Sequence, residues 1–223
     1  MAVADGRHGR TGTPPFVARL SAWIRRWPDW WSHSPVHPGF LVAALLMLAL
    51  QAGGATVVDA LRYDRAAITS GEAWRLVSGH FVHFTWTHCL LNVGGLVALA
   101  AILPASLRAW RCCVVLAALI GLILFSALPG LQHYAGFSGI NYGLAVLVLL
   151  PRARGEPIAA AVLVTLVGRA VWQWFGGVNA DAVVWLGAPP LAAAHLAGLV
   201  VGALMLCIPM VRSRREVTGR ATR

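Results

Sequence analysis

The sequence predicts an all-α, polytopic membrane protein that crosses the bilayer six times. Three observations carry this. Hydrophobic residues make up 58% of the 223-residue chain and charged residues only 12%. The apolar residues stand in long uninterrupted runs, the pattern of segments whose solvent is lipid. All eighteen basic residues are arginine, and most lie between or beyond those runs. A net charge of +10 would suit nucleic acid only with a folded basic face, and none is visible. The split around apolar runs points instead to the positive-inside rule.

Taken in order, residues 1–38 form an N-terminal segment. Within it Phe16, Leu20, Trp23, Ile24 and Trp27 recur at helical spacing with Arg19, Arg25 and Arg26 between them, which predicts an interfacial helix on an anionic membrane face. Spans follow at roughly 39–58, 82–103, 110–129, 136–150, 157–175 and 188–210. The first begins too far into the chain for a cleaved signal sequence. The connector 59–81 holds Arg62, Asp64, Arg65, Glu72, Trp74 and Arg75, a composition richer than a linker needs. Residues 211–223 form a basic tail. Cys89, Cys112, Cys113 and Cys207 lie in or at the ends of apolar runs with no CxxC spacing, so they read as small packing residues.

Six spans put both termini on one side. Fourteen arginines then share that side and three, Arg62, Arg65 and Arg75, face the other. The termini are therefore expected in the cytoplasm. Arg169 falls inside span five, where a cation costs about 2.5–3.5 kcal/mol at midplane. It is expected to snorkel or pair in a structural role.

Chemistry is sought among polar residues that should not be in lipid. Span four opens with GFSGINYG, Gly136–Gly143. Its 15 or so residues cover about 22 Å of a hydrocarbon layer about 30 Å thick. Ser138 would then lie below the membrane surface, in a recess that protein must line. Span six carries His195 about a third of the way in, with Gly198 and Gly202 on the same face. Serine and histidine on closely packed helices are the minimum for an activated nucleophile. No acid lies near this depth, so the reading is a two-membered dyad. In span two, His88 and Asn92 share a face and would supply oxyanion donors with the Ser138 N–H. His80 and His83 read equally well as solvated residues at the span mouth. A zinc site is disfavoured: no HExxH occurs, and His83 and His88, five apart, would point about 140° apart on a helix. The absence of Asp or Glu from every span argues against a small transporter.

These residues resemble the rhomboid intramembrane serine proteases. GFSG matches the family's GxSG around the nucleophile. HFTWTHCLLN matches HxxxxHxxxN, giving His83, His88 and Asn92. AHLAGLVVG matches AHxxGxxxG with His195, and Trp74-Arg75 matches the Trp-Arg of the first external loop, which dips into the bilayer. The likeness spans residues 39–210 and implies a six-helix rhomboid-like bundle. It implies that Ser138 is the nucleophile and His195 the base. His88 and Asn92 would form the oxyanion hole, and Tyr142 would orient His195. His83, Gly136 and Gly139 would support the site. No metal or other cofactor is implied. Overall likeness is greatest to the rhombosortase branch: compact bacterial inner-membrane enzymes thought to trim proteins with a C-terminal Gly-Gly motif, an apolar helix and a basic end. The site would open to the periplasmic side. Asn141 departs from the family's usual less polar residue, through substrate tuning or contact with water. The alternative is a rhomboid-like protein that binds membrane helices without cutting them, against which the intact Ser138 and His195 argue.

Overall fold

A computed structural model describes residues 38–102, 109–178 and 180–207, all within one unit, Pro35–Arg223. The expected interfacial helix and the basic tail lie outside the described residues. The elements in chain order are α1 (Pro38–Ala52), α2 (Gly54–Leu61), β1 (Tyr63–Asp64), α3 (Arg65–Thr69), α4 (Arg75–Ser78), α5 (Trp86–Ala100) and α6 (Ala109–Ala127). They continue with β2 (His133–Tyr134), α7 (Ser138–Arg152), α8 (Pro157–Trp174), α9 (Ala180–Leu186) and α10 (Ala192–Met205). Among the described residues the fold is helical apart from one short pair of strands.

The chain is membrane-embedded. α6 and α8 are each long and apolar enough to cross a bilayer, and α1 with α2 would make a third crossing if the pair counts as one span. α5, α7 and α10, at 14–15 residues, reach about 21–22 Å at 1.5 Å per residue. Large apolar side chains such as Leu45, Ile158, Val164 and Phe175 stand exposed on the outer helices. Water would not tolerate that surface on a monomer, whereas lipid does.

The single span read at 39–58 is corrected. The run breaks at Gly53-Gly54, and α2 leaves α1 at 117°. Gly54 has φ +70°, a left-handed backbone that glycine adopts without a Cβ penalty. Apolar composition alone could not separate a straight span from a bent pair.

α7 is the central helix. Every residue from Gly139 to Leu149 is buried except Asn141, as expected of a helix apolar on nearly all faces. Its closest neighbour is α10. A Cβ at Gly139 would lie 2.8 Å from the Ala194 carbonyl, and one at Gly143 would lie 3.0 Å from the Gly198 carbonyl. On α10, a Cβ at Gly198 or Gly202 would run into the carbonyls of Gly139 and Gly143. Two glycine pairs at i, i+4 therefore bring the two backbones into contact, the small-residue packing that membrane helices use.

The connector 59–81 is folded. β1 pairs antiparallel with β2, Tyr63 opposite Tyr134 and Asp64 opposite His133. Asp64 caps α3 by accepting from the Ala67 N–H at 3.1 Å. The Arg65 guanidinium donates to the carbonyls of Phe125, Leu128 and Leu131 at 2.6, 2.8 and 3.0 Å. It thereby satisfies orphan acceptors at the C-terminal end of α6. Arg75 donates to Glu72 and to the carbonyls of Asp59 and Arg62. The antiparallel pair β1–β2 thus ties the connector to the residues just before α7.

Candidate active site

Ser138 is the first residue of α7 and lines a cavity of about 640 Å³, within the size range of small-molecule and peptide sites. Its position at a helix start leaves its own N–H and those of the next residues without intrahelical acceptors. The Ser138 Oγ lies 2.8 Å from His195 Nε2. The contact spans α7 and α10, and the glycine packing between those helices makes it possible. His195 is buried and Ser138 partly exposed to the cavity.

The loop that delivers Ser138 is held from several directions. Tyr134 donates its hydroxyl to the Gly136 carbonyl at 2.6 Å and meets His80 Nδ1 at 3.3 Å. The Gly136 N–H donates to the Gly79 carbonyl, and the Phe137 N–H donates to His83 Nε2 at 3.4 Å. Burial pushes the His80 imidazole down to about 4 and raises the Tyr134 phenol, so both act as neutral hydrogen-bonding groups at ordinary pH. Gly136 has φ +136°, and a Cβ there would lie 2.8 Å from His88 Cε1. Both facts require glycine at that position.

A family model described as the Rhomboid domain matches residues 70–212. The chain belongs to the rhomboid family. No curated protein matches it. Rhomboids are typically intramembrane serine proteases, and the matched region contains Ser138, His195 and every other residue of the cavity's polar end.

Within this rhomboid chain, the Tyr142 ring stacks on His195 with centroids 4.4 Å apart and planes 10° apart. His88 and Asn92 both line the cavity beside Ser138. The Asn92 amide donates to the His88 carbonyl at 2.9 Å. Gly139 sits at the α7–α10 contact. His83 lies in the turn before α5, and its ring meets His88 edge-on at 4.9 Å. That overturns the 140° separation, which assumed that both residues share one helix; α5 begins only at Trp86. The solvated reading of His80 and His83 is likewise corrected. They are 1% and 0% exposed, with Tyr134 of β2 packed on His80 and the loop before α7 packed on His83.

Asn141 donates to the Asn92 carbonyl at 3.0 Å. Its Oδ1 has no partner among the described residues and lies at the cavity wall. Arg169 lines the cavity too and hydrogen-bonds the Tyr142 side chain, a pairing of the kind expected of a cation in a span. One neighbour escaped the sequence reading. Gln173, buried on α8, places its Oε1 2.8 Å from His195 Nδ1. The signal was present in the sequence: Gln173 stands one helical turn from Arg169 in an otherwise apolar run.

The cavity has two long walls. One is α5, through His88, Leu91, Asn92, Gly95 and Leu99; the other is α8, through Val162, Leu166, Arg169 and Gln173.

Proposed function

We propose that the chain is a serine endopeptidase that cleaves membrane-anchored proteins within or beside their transmembrane segment. The observation that carries this reading is the 2.8 Å approach of Ser138 Oγ to His195 Nε2 in a cavity walled by apolar helices. His195 takes the Ser138 proton as Oγ bonds to the scissile carbonyl carbon. The oxyanion is received by the Ser138 N–H, His88 and Asn92. His195 then returns the proton to the leaving amine as the C–N bond breaks. Water attacks the acyl-enzyme by the same steps and frees Ser138. Tyr142 holds the imidazole plane by stacking.

The substrate enters between α5 and α8, where Leu91, Leu99, Val162 and Leu166 supply apolar lining. A helix must unwind to present an extended peptide to Ser138, and glycine opens a helix at about 1 kcal/mol less cost than alanine. The substrate class that suits this is a protein with one C-terminal apolar span, small residues such as Gly-Gly at its outer end and a basic cytoplasmic end, as rhombosortases are thought to take. The enzyme sits in a bacterial inner membrane with six spans. Its termini lie in the cytoplasm and its site opens to the periplasmic side, as the arginine distribution favours.

The test is cleavage of a reporter carrying such a tail, in vesicles or cells. Wild type cuts it. Ser138→Ala and His195→Ala accumulate in the membrane to normal levels and do not cut. A fluorophosphonate labels wild type at Ser138 alone. Full cleavage by either variant overturns the reading. Equal cleavage after Leu-Leu replaces Gly-Gly removes the substrate class but leaves the protease.

A further inference from the structure

We propose that Gln173 is a positioning residue that fixes the tautomer of His195. The dyad then has a third member, and that member is a neutral amide. The proposal rests on the serine–histidine reading above.

The argument begins with what each atom can do. Gln173 Oε1 is a carbonyl oxygen and only accepts hydrogen bonds. It lies 2.8 Å from His195 Nδ1, so Nδ1 carries the proton. A neutral imidazole has one N–H. His195 Nε2 therefore presents its lone pair to Ser138 Oγ, 2.8 Å away, and the hydroxyl donates. The opposite tautomer would aim an N–H at Oγ, and the ring could not take the serine proton.

Burial makes the assignment hold. Gln173 is 6% exposed and His195 4%, so bulk water does not compete for Nδ1. The other polar groups around the ring do not substitute for the amide. α7 supplies Ser138 and the stacked Tyr142, α5 supplies His88, and α8 supplies Arg169 besides Gln173. None is an acid. A carboxylate at this place would carry a charge into the low-dielectric interior, which is costly when unpaired. An amide provides the same acceptor without it. When the imidazolium forms, the Nδ1–H···Oε1 bond becomes charge-assisted and shortens. Gln173 therefore helps the transition state more than the ground state.

Two variants of the full chain separate this from packing. Gln173→Leu keeps the volume and removes the acceptor. Gln173→Glu returns an oxygen to the same place. We expect Gln173→Leu to lower kcat about 10- to 100-fold with KM within about twofold, on the scale of lost general-base efficiency. Fluorophosphonate labelling of Ser138 should slow in the same proportion. Gln173→Glu should recover at least about tenfold of the loss, since a correctly placed acceptor restores the base. Wild-type kcat in Gln173→Leu overturns the proposal. So does equal loss in both variants that tracks a fall in thermal stability. Nitrogen-15 NMR of histidine-labelled wild type decides independently of any variant: a protonated Nδ1 and bare Nε2 at His195 support the proposal, and a protonated Nε2 overturns it. A wild-type protein that the fluorophosphonate does not label at Ser138 instead overturns the protease reading, while the NMR result still reports the tautomer.

Discussion

Asn92 illustrates what one side chain can contribute here. It is buried on α5, faces the cavity and spends one amide hydrogen on the His88 carbonyl. Among the described residues its second amide hydrogen has no partner, and on the proposed reading it meets the oxyanion. Losing one such donor costs about 10²–10³ in kcat. Asn92→Ala is therefore expected to cut turnover by that factor with melting temperature nearly unchanged. Steady-state cleavage paired with thermal unfolding in detergent checks this, and a stability loss large enough to account for the lost activity would return Asn92 to packing alone. Residues of this kind are the ones a sequence exposes. Ser138, His195 and Asn92 are polar in runs where polarity is expensive. Gln173 and His83 were harder. Gln173 matters only through a ring on another helix, 22 residues on. His83 reads as a span-mouth residue until the loop before α7, 54 residues on, covers it. Solvation cannot be inferred from distance to the end of an apolar run.

At the scale of elements, the site depends on how closely α7 and α10 approach. Gly198 faces the Gly139 carbonyl with no room for a methyl group. Gly198→Ala is therefore expected to push the helices apart or strain them, at about 1–3 kcal/mol, the usual cost of overpacking. Because Ser138 and His195 sit on those two helices one turn away, activity should fall further than stability. A detergent melting curve compared with the rate of probe labelling at Ser138 measures both; unchanged labelling would show that the site tolerates a wider spacing. The glycine stripes were legible in the sequence because i, i+4 repetition survives without knowing the partner. The bend between α1 and α2 was not legible. Gly53-Gly54 lies inside a continuous apolar stretch, and hydropathy is blind to backbone direction. The β1–β2 pair escaped for a different reason: two residues per strand are too few to show alternation.

For the whole molecule, orientation decides which compartment meets Ser138. The split of fourteen arginines against three favours cytoplasmic termini. Reporter fusions after residue 153 and at the C-terminus are expected to read cytoplasmic, and a fusion near Asp181 external. An external C-terminus would turn the cavity toward the cytoplasm and reverse the side on which product is released. The helix lengths fit a site set below the surface. α7 is 15 residues long and α6 is 19, so α7 falls about 6 Å short of its neighbour at 1.5 Å per residue.

His195 lies on α10, the last of the described helices, 57 residues after Ser138. On the proposed reading a ribosome completes the helix of the nucleophile well before the base exists. Until α10 inserts, Ser138 would have no proton acceptor, and the glycine face of α7 would lack its α10 partner. A half-made protease would carry the serine without the means to use it and could not attack its neighbours in the translocation site. Proteolytic competence and the closing of the α7–α10 contact would arrive in one step.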